Sequence, residues 1–296
     1  MPNDSRILYR RFQLGALGLT VFAALTRVLS LCFFFDPSVG YVDAGIIPTL
    51  LYIALALFPV WCALYAFAAL RLEKKTLIAV APNEEAATPA LRYASFFCAV
   101  ALIGSMVTEL SMCGFSGKAA LLRYLSAIVA AFYFIPRSRR SITAGLGVVA
   151  YTVCAVAGEY FDWTVTLNSP IKLMGQAALM SAALFILAEL CHVNHTRRSV
   201  RYTVCAAMSM FCGFTNGLSL GVAALVGGIV KPAYLLHALP PLAIGLYAAL
   251  RLFADHEIIL PEPALEADEE AAAESEQTAE SPDTPTQPTQ EEESNG

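Results

Sequence analysis

The stretch MVTELSMCGFSGKAALLRYLSAI, residues 106–128, decides the fold because it joins two apolar runs through a short turn of Gly, Ser and Lys. Each flanking run is close to the ~20 residues that a helix needs to cross a bilayer. The first run carries Glu109 and the second carries Arg123. A lone charge at that depth costs roughly 3 kcal/mol or more. The stretch therefore predicts a transmembrane hairpin whose two charges form an ion pair, with Arg27 of the first apolar segment as the alternative partner of Glu109.

The composition extends this prediction to the whole chain. Of its 296 residues, 57% are hydrophobic, and the mean hydropathy is +0.60, whereas soluble domains are roughly 45–50% apolar. All eight cysteines lie within or at the ends of apolar runs and none forms a CxxC pair, which is typical of buried thiols. We therefore expect an all-α, polytopic integral membrane protein that has the lipid bilayer as its main partner.

Eight apolar segments have about the length of a spanning helix. They cover residues 12–35, 46–70, 93–113, 119–136, 142–161, 173–190, 202–226 and 234–253. The first segment is too long for the apolar part of a cleaved signal peptide, and Arg27 interrupts its second half. The sequence therefore predicts eight transmembrane helices, the first of which is retained.

The basic residues test this count, because Lys and Arg collect in the cytoplasmic loops of membrane proteins. With the N-terminus inside, the outer loops hold only Lys118, Lys172 and Lys231, while Arg27 and Arg123 lie within helices. The inner set has fourteen members: Arg6, Arg10, Arg11, Arg71, Lys74, Lys75, Arg92, Arg137, Arg139, Arg140, Arg197, Arg198, Arg201 and Arg251. This division predicts a multi-pass protein of the cytoplasmic membrane with both termini in the cytoplasm.

The net charge of −5 comes from the C-terminal end of the chain. From Asp255 onward there are fourteen acidic residues and no Lys or Arg, so the part before it carries nineteen basic against ten acidic residues. We expect 1–254 to be the transmembrane domain and 255–296 to be a disordered cytoplasmic tail, because its Glu, Pro, Thr and Ser residues bury too little apolar surface. The basic residues lie mostly in alternate loops and are not grouped in the sequence as a nucleic-acid-binding patch would be, so no nucleic-acid partner is expected.

A weak internal repeat divides the helices into two halves, 1–136 and 137–254. FFFDPSVGYVDAGIIP at 33–48 and EYFDWTVTLNSPIKL at 159–173 each connect two helices at corresponding positions. Four helices per half give both halves the same orientation, so the repeat would be parallel. Chance similarity between aromatic-rich interfacial segments is the alternative.

Polar groups inside the predicted helices concentrate in the outer half of the membrane. The candidate binding residues are Arg27, Glu109, Arg123, Glu159, Asn216 and His237. Because intramembrane charges are costly, they point to function, and together these groups predict an outward-facing polar pocket. The alternative is an ion cluster that only packs helices. Glycines around Asn216 in GFTNGLSLG (213–221) and two prolines in HALPPLAIG (237–245) suggest interrupted helices beside this pocket.

A weaker candidate lies at the predicted inner end of the sixth helix, where AELCHVNH (188–195) contains Glu189, His192 and His195. The two histidines at i and i+3 share a helix face, which is one element of a metal site. The basic residues Arg197, Arg198 and Arg201 follow at once, however, and offer Glu189 a simpler partner. No motif of a hydrolase, kinase or metalloenzyme is found, so neither an enzymatic activity nor a cofactor is predicted.

The function that best fits these features is transport or binding of a small solute or ion through the outward-facing pocket. A component of a signalling or scaffold assembly is the alternative, in which partner helices bind the membrane domain and the acidic tail is the cytoplasmic contact. The sequence names no protein partner for either function.

Overall fold

The structure, a computed structural model, describes residues 2–36, 41–73, 89–113, 118–135, 141–161, 169–193, 200–227 and 232–254. Almost all of these residues are helical, which confirms the all-α class. The helices are α1 (Pro2–Phe33), α2 (Ile46–Glu73), α3 (Pro89–Cys113), α4 (Lys118–Phe134), α5 (Ile142–Phe161), α6 (Pro170–Val193), α7 (Val200–Gly213), α8 (Ser219–Gly227) and α9 (Pro232–Ala254).

These helices fall on all eight predicted apolar segments, because α7 and α8 are two parts of the seventh. A π-helical segment, Phe214–Leu218, joins them without a break. Seven of the eight resulting spans are long and apolar enough to cross a membrane. The shorter one is α4, whose 17 residues reach about 25 Å. The protein is thus a multi-pass membrane protein, and the eight helical spans that the structure describes agree with the predicted count.

The start of the first helix and the loop that follows it differ from the sequence prediction. Helix α1 begins at Pro2 and not near residue 12, because a proline suits the first helical position and no further breaker follows it. The loop after α1 contains a minimal antiparallel hairpin of β1 (Phe35–Asp36) and β2 (Tyr41–Val42). In its register Phe35 faces Val42 and Asp36 faces Tyr41.

Helices α7 and α9 lie at the centre of the bundle. Helix α9 packs against α7 and α3. The five helices from α3 to α7 form a row in which each helix contacts the next. Helix α1 packs against the α7–π–α8 span and against α2. The main apolar core therefore collects large side chains from several helices, among them Phe12, Phe134, Phe185, Tyr202 and Tyr247.

Helix α2 lies at the edge of the bundle, since only 28% of its apolar window is buried. Its Trp61 lies where a Cβ on Gly15 of α1 would stand, and the indole Nε1 donates to the carbonyl of Phe12 at 3.3 Å. Many large apolar side chains on the outside of the bundle remain exposed, such as Leu57, Phe96 and Leu225. An apolar exterior of this extent fits contact with lipid and not with water.

Three predictions concern residues outside the described ranges or have no structural test. The acidic segment 255–296 and several basic loop residues are not among the described residues. The orientation in the membrane and the division into two parallel halves therefore stay predictions. Below, the end of the bundle at which α1 ends and α2 begins is called the predicted outer end.

Candidate functional site

Arg27 is the most deeply buried of the predicted binding residues that carry a charge. It lies in α1, and only 3% of its surface is exposed. Its Nη2 faces the carbonyl oxygen of Pro170 at 3.5 Å and Oδ1 of Asn216 at 3.4 Å, both at the long limit of a hydrogen bond. Within the described residues, no carboxylate forms a salt bridge with Arg27, and its Nε has no hydrogen-bond partner. Among the residues that the structure describes, the hydrogen-bond contacts of the guanidinium are thus long and go to neutral oxygens.

Asn216 brings the second polar group of this site from the π-helical segment. It is 1% exposed, and the segment around it adds a residue to the helical turn, an irregularity that is frequent at functional sites. Ser219 closes the end of the segment by donating its hydroxyl to the carbonyls of Thr215 and Asn216. Thr215 Oγ1 is buried and makes no hydrogen bond to any residue that the structure describes. The term "Arg27 site" is used below for Arg27, Asn216 and the carbonyl of Pro170.

Glycines allow α9 to approach the π-helical segment closely. A Cβ on Gly213 would lie 2.6 Å from the carbonyl oxygen of Pro241, and one on Gly217 would lie 3.1 Å from that of Ala238. Gly213 and Gly217 thus form a GxxxG contact of the kind that lets membrane helices pack backbone to backbone. Although it contains Pro240 and Pro241, α9 is continuous from Pro232 to Ala254.

His237 lies on α9, next to this close approach. Its side chain is half-buried, and its neighbour Ala238 carries the carbonyl that faces Gly217. Pro241 has no N–H to donate to the His237 carbonyl, so the helical hydrogen-bond ladder is interrupted there. The structure therefore places His237 at the edge of the helix pair that holds Asn216.

A small apolar cluster lies beyond the Arg27 site toward the predicted outer end. It contains Leu31, Ile171, Leu220, Ala223 and Ala238. Leu31 follows Arg27 by one helical turn and Leu220 follows Asn216 by one turn, while Ile171 is adjacent to Pro170. Because both α1 and α8 run toward the predicted outer end, Leu31 lies on that side of Arg27 and Leu220 on that side of Asn216. This cluster is called the apolar cover below.

The predicted pocket thus differs from the structure in one respect. The sequence analysis expected an open, outward-facing arrangement, whereas Arg27 and Asn216 are almost completely buried. The apolar cover explains the difference, since it comes from α1, α6, α8 and α9 together and no single segment indicates it.

Glu109, Arg123 and Glu159 belong to a second group of charges on α3, α4 and α5. The predicted ion pair of Glu109 with Arg123 is confirmed, and the two side chains are 20% and 12% exposed. Arg123 Nη1 lies 3.2 Å from where a Cβ on Gly158 would stand, so the guanidinium rests on α5. This pair gives each charge a partner, which is what a structural role requires.

Tyr151 and Glu159 extend the second group along α5. Tyr151 is buried, and its side chain lies near those of Ser105, Arg123 and Glu159. The Glu159 carboxylate lies against Gly175 of α6, with Oε2 3.1 Å from a Cβ built there. The six predicted residues are therefore divided: Arg27 and Asn216 form one group, Glu109, Arg123 and Glu159 form another, and His237 lies on α9 near the first.

A third polar group lies at the opposite end of the bundle, around Glu189 of the weaker candidate. The buried Glu189 of α6 accepts hydrogen bonds from Tyr247 at 2.7 Å, Tyr133 at 2.9 Å and Arg251 at 3.2 Å. The expected pairing of Glu189 with the basic residues that follow it stays a prediction, because Arg197 and Arg198 lie outside the described residues. The described partners of Glu189 include residues of α4 and α9. No local signal indicates this, because Arg251 is 62 positions away.

The same end of the bundle is also tied to α1. Tyr9 and Gln13 donate to the carbonyl oxygen of Leu252 at 2.6 and 2.5 Å. The polar group of Glu189, Tyr133, Tyr247 and Arg251, called the Glu189 network below, is therefore adjacent in α9 to a contact that holds α1.

The metal site considered at His192 and His195 lies outside what the structure describes, since the side chain of the first and the whole of the second are not placed. Among the described side chains, no group of three or more His, Cys, Asp or Glu is arranged to hold a metal ion.

Comparison with known proteins adds no further assignment. The chain matches no protein-family model, no curated protein and no solved structure. The function must therefore be argued from the geometry of the chain itself.

Proposed function

We propose that the protein binds a small polar solute or ion in the predicted outer half of its bundle and carries it across the membrane. The observation that carries this proposal is the Arg27 site. A guanidinium buried among helices, with only long contacts to two neutral oxygens, is costly to maintain. Such a cost is typical of a functional residue, whereas a structural arginine such as Arg123 has a carboxylate partner.

The irregular backbone beside Arg27 supports a binding role. Transporters bind solutes near the middle of the bilayer, where helices depart from regular geometry and expose backbone and side-chain polar groups. Here the π-helical segment of the seventh span presents Asn216 directly to Arg27. Irregular backbone at membrane depth is tolerated where it is buried in protein or lines a cavity.

The two ends of the bundle support a transport cycle with alternating access. The apolar cover closes the Arg27 site toward the predicted outer end. At the other end, the Glu189 network joins α4, α6 and α9 through hydrogen bonds. Side-chain contacts of both kinds are able to break and reform while the helices stay intact. We assign this structure to a state in which the site is closed on both sides.

Uptake into proteoliposomes tests this proposal. Vesicles containing the purified full-length protein receive, one at a time, radiolabelled acetate, glycine, choline and rubidium. We expect saturable uptake of one probe class, lost in Asn216→Ala and retained in Thr203→Ala. Thr203 is a suitable control because it is equally buried in the same span, near its opposite end. Uptake that is equal in both variants would contradict a role for the Arg27 site.

The signalling or scaffold alternative depends on the tail, and deleting residues 261–296 separates the two functions. A transporter should keep its uptake without this segment, because the deletion follows the last span. Loss of a co-purifying cytoplasmic protein on this deletion, with no uptake of any probe by the intact chain, would favour the alternative.

A further inference from the structure

We infer that the solute bound at the Arg27 site is a small anion with one negative charge in a planar group of oxygens, foremost a short-chain carboxylate. The inference rests on the proposed function only for the statement that this site binds a solute. The argument for the charge and shape of the solute comes from the contacts of Arg27 and from the residues around it.

The first step concerns the unused donors of Arg27. A guanidinium has five N–H donors in a fixed plane and no acceptor. The two recorded contacts both use Nη2 and are 3.4 and 3.5 Å long. Nε is buried and makes no hydrogen bond to any described residue. A carboxylate presents two oxygens at the spacing of this fork, and its charge makes both hydrogen bonds stronger.

The second step concerns the number of charges. Of the other cations whose side chains are described in the predicted outer half of the spans, Arg123 is paired with Glu109. Lys172 follows Pro170 by two positions on α6, and its Nζ donates to the carbonyl of Tyr160 on α5. Arg27 thus supplies one positive charge to the site. A monovalent anion neutralises it, whereas a divalent anion would bring a second buried charge without a partner.

The third step concerns the body of the solute. The apolar cover places Leu31, Ile171 and Leu220 one turn or less from the three polar members of the site. A solute whose anionic group reaches Arg27 from that side brings the rest of its surface against these side chains. A short alkyl chain gains from that contact, while a strongly hydrated inorganic anion loses water without compensation.

Thermal unfolding of the full-length protein in detergent tests the inference without requiring transport. The probes are the sodium salts of acetate, propionate, nitrate and sulfate, titrated against chloride at constant ionic strength. A ligand that binds the folded state raises the unfolding temperature in a saturable manner. We expect propionate and acetate to act at lower concentration than nitrate, and sulfate to show no saturable effect beyond that of ionic strength.

Two variants locate the effect. In Arg27→Gln, the propionate concentration that gives half of the maximal rise in unfolding temperature should increase about tenfold or more. This is the loss of affinity expected when one charge-assisted hydrogen bond is removed. Arg27→Lys retains the charge but not the fork, so it should give a smaller rise and also serves if Arg27→Gln does not fold. Arg123→Gln is the matched control, because it removes an equally intramembrane guanidinium that already has a partner.

Three results would overturn the inference. One is an anion effect that is the same in Arg27→Gln as in the natural sequence. Another is a saturable effect of sulfate that depends on Arg27 and occurs at lower concentration than that of propionate. The third is a loss of stability in Arg27→Gln that is restored by changing a carboxylate of the segment 159–173, such as Asp162→Asn, because Arg27 would then already have a carboxylate partner within the chain.

The binding and transport experiments fail in different ways. Saturable binding of propionate that depends on Arg27, without uptake into vesicles, would support the anion and contradict transport. Uptake of choline or rubidium that depends on Asn216, without an anion effect on unfolding, would support transport and contradict the anion.

Discussion

Arg27 and Asn216 are 189 positions apart, yet Nη2 of the first lies 3.4 Å from Oδ1 of the second. The contact joins α1 to the π-helical segment of the seventh span. Arg27 therefore has an uncharged partner in the same membrane half in which Arg123 has a carboxylate. This difference between two intramembrane arginines is the reason for proposing a binding role for Arg27 and a structural role for Arg123.

Replacing each arginine by methionine should have opposite effects on stability. Arg27→Met removes a buried charge without leaving a carboxylate unpaired, so the ligand-free protein should unfold at the same or a higher temperature. Arg123→Met leaves Glu109 without its partner and should destabilise the protein by about 2 kcal/mol. Thermal unfolding in detergent without added carboxylates measures both. An equal loss in the two variants would contradict the assignment of different roles.

A double-mutant cycle should show that Glu109 is coupled to Arg123. Each single change to Gln leaves a partly buried charge alone, so the double variant should be more stable than the sum of the two losses predicts. The same cycle for Glu109 and Arg27 is the control and should give a coupling near zero, because the structure records no salt bridge between them within its described residues. The reverse pattern would mean that Glu109 pairs with Arg27.

The Glu189 network should contribute strongly to stability. Glu189→Gln removes the charge that faces Arg251 and weakens the bonds from both tyrosines, so we expect a loss of about 2–4 kcal/mol. Tyr133→Phe removes one hydrogen bond and should cost about 1 kcal/mol.

Tyr93→Phe is the matched control for that series, since Tyr93 is 74% exposed. Its effect should stay within about 0.5 kcal/mol. A loss in Tyr133→Phe no larger than that in Tyr93→Phe would show that the hydrogen bond to Glu189 does not hold α4 to α6.

Two glycines of the seventh span should respond differently to alanine. In Gly213→Ala the new Cβ would lie 2.6 Å from the carbonyl oxygen of Pro241 and 3.2 Å from Cα of Gly245. Both neighbours are backbone atoms, so α7 and α9 must separate, at a cost of about 1–3 kcal/mol. A Cβ on Gly221 would meet nothing within 4 Å, so Gly221→Ala should be neutral or slightly stabilising. Unfolding temperatures of the two variants give the comparison.

The predicted orientation has a direct test. Reporter fusions after residues 75, 139 and 198 should all be cytoplasmic, because fourteen basic residues fall on that side against three on the other. Fusions in the loops near Lys118 and Lys231 should lie outside. An external reporter at residue 139 would contradict both the orientation and the count of eight spans.

Local sequence is sufficient for the helices and for one ion pair. Each apolar run of about 20 residues must satisfy its backbone within a helix in lipid, so length and composition alone predict the spans. The short connection of residues 114–117 makes α3 and α4 antiparallel neighbours, which brings Glu109 and Arg123 to the same depth. Because charged side chains are rare within apolar spans, the sequence alone also showed that the intramembrane charges are unusual.

The tertiary structure decided the partners of Arg27 and Glu189 and the closure of the candidate site. Asn216, Arg251 and the apolar cover come from helices distant in sequence, and spacing along one chain does not show which helices become neighbours. Lipid contributes little to that choice, because it is as apolar as the helices themselves. Close packing at Gly213, Gly217 and Gly245 brings α7 against α9. Where a polar group meets its partner therefore depends on the packing of the whole bundle.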